Sequence, residues 1–250
     1  MSPTLVGLVV FVCLLAGWLL GSRLRALLPE HHLGGEPKEV AKLASGLIAT
    51  MAALVLGLLV ASAKDSYDSQ SKELTQISAN VVVLDRMLAH YGPEATPVRG
   101  ELRRAVEGLR ARVDSAGDAR AVSPTVSSRN ESLYETIQAL APKDDEQRSL
   151  KSAALGIATT LGETRWLMYE QRAVSVSTPL LVVLACWLTI IFVTFGLFAT
   201  SNPTLMAIVC AAALAVSGAI FLILEMYEPY SGVIRVSSAP LRAALENLGR

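Results

Sequence analysis

No lysine, arginine, aspartate or glutamate occurs in four long stretches of this chain: Thr4 to Leu20, Leu43 to Ala63, Leu180 to Ala199 and Thr204 to Leu224. A helix of about 20 apolar residues crosses a hydrocarbon core of about 30 Å, so uncharged runs of this length point to lipid as the solvent. An excess of one charge is also lacking. Lys+Arg and Asp+Glu balance at 22 each, which removes the basic field that nucleic-acid binding draws on. Cysteine is scarce, and Cys13, Cys186 and Cys210 all lie inside the apolar runs. There they read as small hydrophobes and not as a disulfide framework or thiolate metal site. Nucleophile–base arrangements, glycine-rich phosphate loops and Cys/His ligand spacings are missing too. His31 and His32 follow Glu30 in a loop and His90 stands near a helix end; adjacent histidines point apart, a poor start for a metal site. Without charges inside the spans there is no proton relay or substrate counter-ion. Neither catalysis nor a cofactor is expected.

What is present is an all-α integral membrane protein: four transmembrane helices, with a helical extramembrane domain between the second and third. The expected divisions are a first transmembrane helix over 1–22, a loop over 23–42, a second helix over 43–64 and the helical domain over 65–176. A third helix over 177–199, a fourth over 204–226 and an amphipathic tail over 227–250 complete the chain. The first run lacks a basic leader and a small-residue cleavage site, so it reads as a retained helix. Thr200, Ser201, Asn202 and Pro203 turn the chain back between the third and fourth spans. Crossings are then even in number, with both termini and the helical domain on one side of the bilayer. Charge does not decide which side: Arg23, Arg25, Lys38 and Lys42 in the first loop face six basic residues opposite, Lys64, Lys72, Arg165, Arg172, Arg235 and Arg242.

The second span repeats a small residue at every fourth position, Ser45, Ala49, Ala53, Gly57 and Ala61, and we read this stripe as a seam for close helix packing. Gly17 and Gly21 repeat the spacing once in the first span, where a single pair reads as chance. In the third span Trp187, Phe192, Phe195 and Phe198 hold most of the membrane aromatics. Lipid contact or helix packing is the plainer reading for them; Phe192, Phe195 and Phe198 are also candidates for a hydrophobic constriction.

Beyond Lys64 the second helix is expected to continue, because Tyr67, Leu74, Ile77, Val81, Leu84, Leu88 and Tyr91 fall on an a/d seam. Gly92 and Pro93 end it. A helix opened by Pro97 carries Val98, Leu102, Val106, Leu109 and Val113 on one face, and Arg103, Arg104, Glu107 and Arg110 on a solvated one. Residues 115–128 read as a loop, followed by a short helix with Leu133, Ile137 and Leu140. The next helix starts near Pro142; Asp144, Asp145 and Glu146 suit its first turn better than they suit a calcium clasp. It carries Leu150, Ile157, Leu161 and Met168, and leads through Trp166 and Tyr169 toward the third span. In the tail, Ser238 is expected to cap a last helix with Leu241, Leu245 and Leu248 as its apolar stripe. That helix would lie on the membrane surface or dock on the domain, and Glu225 would snorkel or pair with Arg235.

The stretches Gly46-Leu47-Ile48-Ala49-Thr50, Ala61-Ser62-Ala63-Lys64, Gln76-Ile77-Ser78-Ala79-Asn80 and Leu84-Asp85-Arg86, with the tail from Pro229 to Leu241, resemble an uncharacterised bacterial bestrophin-like domain family. That family has a more distant likeness to the bestrophins, which are pentameric anion channels with four membrane helices and a cytosolic helical domain. The resemblance implies an oligomer of this chain in the bacterial inner (plasma) membrane, with the helical domain cytoplasmic and small anions as permeant partners. It further implies a pore lined by the second helix, with the small-residue stripe and Thr50 near the axis. Asn80, Asp85 and Arg86 would then lie at a vestibule or subunit contact. The second span lacks the aromatic neck of true bestrophins, and no calcium clasp is evident. A reading of a different class is a non-conducting scaffold or sensor whose helical domain binds a protein partner.

Overall fold

A computed structural model describes residues 2–29, 35–114, 133–171, 178–198, 202–228 and 232–249. Every regular element among them is helical: α1 (Pro3–Leu27), α2 (Glu36–Tyr91), a 3-10 turn (Pro93–Ala95), α3 (Thr96–Asp114), α4 (133–138), α5 (Asp145–Gln171), α6 (Thr178–Phe198), α7 (Pro203–Tyr227) and α8 (Ala239–Asn247). The fold is all-α, and α1, α2, α6 and α7 are each long and apolar enough to cross a membrane. The protein is a multi-pass membrane protein. Its residues form two compact units, Met1–Asp65 with Ser175–Tyr227, and Ser66–Val174 with Glu228–Arg250.

In the membrane unit α1 packs on α6 and α7. It outruns its expected end because Arg23, Leu24 and Arg25 are good helix formers, and it stops at Leu28, which is extended as the residue before Pro29 must be. The glycines of α1 set the approach. A Cβ on Gly21 would lie 2.0 Å from the Val193 carbonyl oxygen, and one on Gly196 would lie 2.1 Å from the Trp18 carbonyl oxygen. Gly17 meets Thr189, and Gly7 meets Phe221 of α7. The Gly17–Gly21 pair is therefore a backbone crossing with α6 and not a chance match. Leu14, Leu184, Phe192, Val209, Ala213, Ile220 and Ile223 fill the core, together with Ala52, Leu59 and Ala63 of α2. On α7 the cap is Asn202, whose Oδ1 accepts from the Thr204 amide at 3.3 Å. The rest of the expected turn, Thr200 and Ser201, lies outside the described residues, as do His31, His32 and the join of α5 to α6.

α2 runs unbroken for 56 residues, about 80 Å at 1.5 Å per residue. Its later part belongs to the helical unit, where Leu74, Ile77, Val81, Leu84, Leu88 and Tyr91 are all buried and the a/d seam becomes the core. Gly92, at φ 121° and ψ −175°, ends the helix in backbone space that essentially only glycine occupies. Gln147 closes the next corner. Its Nε2 donates to the Tyr91 carbonyl at 2.8 Å, its Oε1 accepts from the Lys143 amide at 2.8 Å, and its own amide donates to Asp144 Oδ1 at 2.7 Å. Asp144 thus caps α5, as its position implies. Lys151 Nζ donates to the carbonyls of Gln138 and Leu140, at 2.7 and 2.8 Å, satisfying orphan acceptors at the end of α4.

The tail docks on the helical unit. Val236, Leu241, Leu245 and Leu248 are buried in the same core as α2 and α3, and each leucine contributes about 2 kcal/mol. Tyr67 donates its hydroxyl to the Arg235 carbonyl at 3.2 Å. Ser238 stands at the N-cap position of α8 without making the expected side-chain cap. Its hydroxyl instead bonds Asp114, and that bond, with Arg110 and Arg242 nearby, holds the Asp114 carboxyl below its usual range. Ser237 takes over the cap, its Oγ accepting from the Ala239 amide at 3.2 Å.

Candidate functional site

The candidate site starts from the outward face of α2. Of its most apolar eighteen residues only 11% are buried, against 28% in each of the other spans. Ala52, Leu59 and Ala63 point into the membrane unit. Ala49, Ala53, Gly57 and Ala61 are exposed, and Ser45 is half-buried. Nothing lies within 4 Å of a Cβ built on Gly46 or on Gly57. Among the described residues the small-residue stripe is thus not used for packing. Leu43, Leu47, Met51, Leu54 and Leu58 are exposed beside it, so the face is apolar with a shallow groove where side chains are short. Polarity on it is muted: Thr50 donates its hydroxyl back to the Gly46 carbonyl at 2.9 Å, and Ser62 accepts from the Tyr227 hydroxyl at 2.8 Å.

In the helical unit, Asn80 is half-buried and its Oδ1 accepts from Gln76 Nε2 at 3.1 Å. Arg86 is exposed, and its carbonyl accepts a 2.8 Å bond from His90 Nδ1, which fixes the proton on that nitrogen. Asp85 differs from both. It is 3% exposed, with Oδ1 bonded by Arg99 Nε at 2.8 Å and Oδ2 bonded by Arg99 Nη2 at 2.9 Å and the Gly249 amide at 3.2 Å. Burial pushes its carboxyl up. The hydrogen bonds from Arg99 and Gly249 and the Arg99 charge outweigh burial and hold the pKa below its ordinary value. Asp85 therefore ties α2, α3 and the chain end together.

The bestrophin-like family model matches residues 8–241, nearly the whole chain, including the α2 face and the tail as far as Leu241. The chain belongs to the Bestrophin-like domain family. No curated protein and no solved structure matches it.

Within this Bestrophin-like domain the aromatics of α6 do not share one surface. Phe192 is buried in the membrane core, Phe195 is 46% exposed and Phe198 is half-buried. The rings of Phe192 and Phe195 stack at 6.0 Å and 54°, a tilted pair that stabilises packing. Glu225 is buried at the end of α7, and Arg235 donates to the Gly232 carbonyl at 2.7 Å. Sequence reasoning missed Arg99, whose pairing with Asp85 across fourteen residues leaves no local signal. Gln70 was missed as well. It is buried, with its Oε1 unpartnered among the described residues, and its signal was available: the three-four steps Tyr67, Gln70, Leu74 put it on the seam. Among the described residues no group of acidic, histidine or cysteine side chains is arranged to hold a metal ion.

Proposed function

We propose that this Bestrophin-like domain assembles into a ring of identical chains in the bacterial plasma membrane and passes small anions along an axis lined by α2. The observation that carries this reading is the outward small-residue face of a membrane helix, Ala49, Ala53, Gly57 and Ala61, which its own chain leaves uncovered. Short side chains let backbones approach closely or leave room along an axis, and the absence of acidic groups puts no fixed negative charge on this face. Family membership supports the architecture, with the helical unit on the cytoplasmic side. The reading assigns no catalytic role.

A second reading is supported by the same face. Its hydroxyls at Thr50 and Ser62 are bonded back into the chain, and no cation lies within the span, so it equally suits dry contact in a non-conducting scaffold. Chloride flux in proteoliposomes separates the two. Flux that the wild type supports, and that an Ala53→Trp protein of unchanged oligomeric size blocks, places the pathway along α2. No flux above empty liposomes, across pH and calcium, refutes conduction and leaves the scaffold.

A further inference from the structure

In the helical unit α2 and α5 each carry a second seam, on the side away from the core. On α2, Lys72, Gln76, Ala79, Val83 and Arg86 are all exposed and recur in alternating steps of four and three, the spacing by which one helix receives another. On α5, Ala153, Gly156, Thr160, Glu163 and Leu167 are exposed in steps of three and four. Neither is an ordinary solvated face. Between Lys72 and Arg86 the α2 seam carries no charge, and Val83 at its centre is 44% exposed. On α5, Leu167 is 53% exposed, and a Cβ built on Gly156 meets nothing within 4 Å. The hydroxyls along α5 are bonded to its own backbone: Thr159 donates to the Leu155 carbonyl at 3.0 Å, Thr160 to the Gly156 carbonyl at 3.1 Å and Thr164 to the Thr160 carbonyl at 2.9 Å. Covering this face therefore strands none of these donors.

Within one chain α5 runs antiparallel to α2, with Gln147 bonded to the Tyr91 carbonyl at one end and Leu161 sharing a cavity with Ile77 and Val81 farther along. That pairing sets Gly156 and Thr160 level with Val83, and Glu163 level with Gln76, one turn from Lys72. Rotation about an axis parallel to α2 preserves these heights. Lys72 and Glu163 carry opposite charges, and neither makes an ion pair among the described residues. We propose that in the helical unit copies of this chain join through two different faces, the α2 seam of one against the α5 seam of the next, with Val83 seated over Gly156 and Lys72 paired with Glu163. This contact rests on the ring reading and specifies it, because two unlike faces on each copy close a ring when the rotation allows.

The test is made on the full chain in the membranes that express it. With the native cysteines removed, a protein carrying both Val83→Cys and Gly156→Cys is oxidised and run on a denaturing gel. A ladder of covalent multimers is expected, with monomer alone from each single variant. Lys72→Glu lowers the ladder yield severalfold, and adding Glu163→Lys to the same chain restores it, which a folding defect would not do. A dimer from either single variant overturns the contact, because like faces then meet. A yield that Lys72→Glu leaves unchanged overturns the ion pair. Absence of a ladder, in a protein whose native mass is that of an oligomer, overturns the contact and leaves the ring; a native mass of one chain overturns both.

Discussion

Adding one methyl group at Gly21 will destabilise the membrane unit, and the same methyl at Gly57 will not. A Cβ at Gly21 lies 2.0 Å from the Val193 carbonyl oxygen and 2.9 Å from both the Val193 carbonyl carbon and the Leu197 nitrogen. Carbon–oxygen contacts normally settle at about 3.3–3.6 Å, so α1 and α6 must separate by more than an ångström. The atoms in the way are backbone, and no rotamer change relieves them. Overpacking of this kind costs about 1–3 kcal/mol, and the rigid partner puts Gly21→Ala at about 3 kcal/mol, a hundredfold shift in the folding equilibrium at about 1.4 kcal/mol per factor of ten. Gly57→Ala meets nothing within 4 Å and gains helix propensity of up to about 1 kcal/mol. The comparison is read from SDS-induced unfolding of the two variants in mixed micelles, followed by circular dichroism. Unfolding midpoints for Gly21→Ala and Gly57→Ala that differ by less than 0.5 kcal/mol, as an order-of-magnitude bound on ordinary surface changes, would refute the crossing.

Asp85→Asn will cost about 2 kcal/mol, the scale of hydrogen bonds to a charged group, and will raise hydrogen exchange across 239–249 by freeing the Gly249 amide; unchanged exchange there would exclude the tie. Because folding depresses the Asp85 carboxyl pKa, its stabilisation is present above the unfolded value of about 3.9. It is lost as pH falls through the lower folded value, so acid below about pH 4 will loosen the tail in the wild type and not in the variant. Gly92→Ala will lower the thermal midpoint of the full chain by the equivalent of about 2 kcal/mol, since φ 121° suits no side chain and the new Cβ would meet Glu94 Oε2 at 2.9 Å; an unchanged midpoint would mean that the corner relaxes freely.

The spans were legible because charge is costly in hydrocarbon and its absence over twenty residues has few other meanings. The continuation of α2 was legible for a related reason: a three-four apolar rhythm reports one buried face, and Leu74 through Tyr91 keep it without interruption. Helix ends were less so. Leu20 marks where apolarity stops, whereas Pro29 decides where the backbone can no longer stay helical, and Arg23 and Arg25 lie between the two. The capping role given to Ser238 failed because a hydroxyl can serve only the partner its burial selects, and Asp114 is brought there by a packing of α3 against the tail that no local pattern encodes.

Small-residue spacing is where composition and structure part. Five matches in α2 argued for a seam and two in α1 argued for chance, yet it is α1 that uses its glycines inside the chain and α2 that leaves its stripe exposed. Repetition measures how long a smooth surface is and says nothing about whether the same chain covers it. A pair such as Gly17 and Gly21 suffices for one close approach, because two backbones need room only where they come nearest. A long stripe suits a partner lying along it for its whole length, and among the described residues no helix does so. The length of the α2 stripe is for that reason an argument about copies of the protein and not about its own tertiary packing. Cross-linking through a single cysteine at Ala49, with the native cysteines removed, should join α2 to α2 between chains; formation of monomer alone at saturating oxidant would remove that argument and with it the structural support for a shared axis.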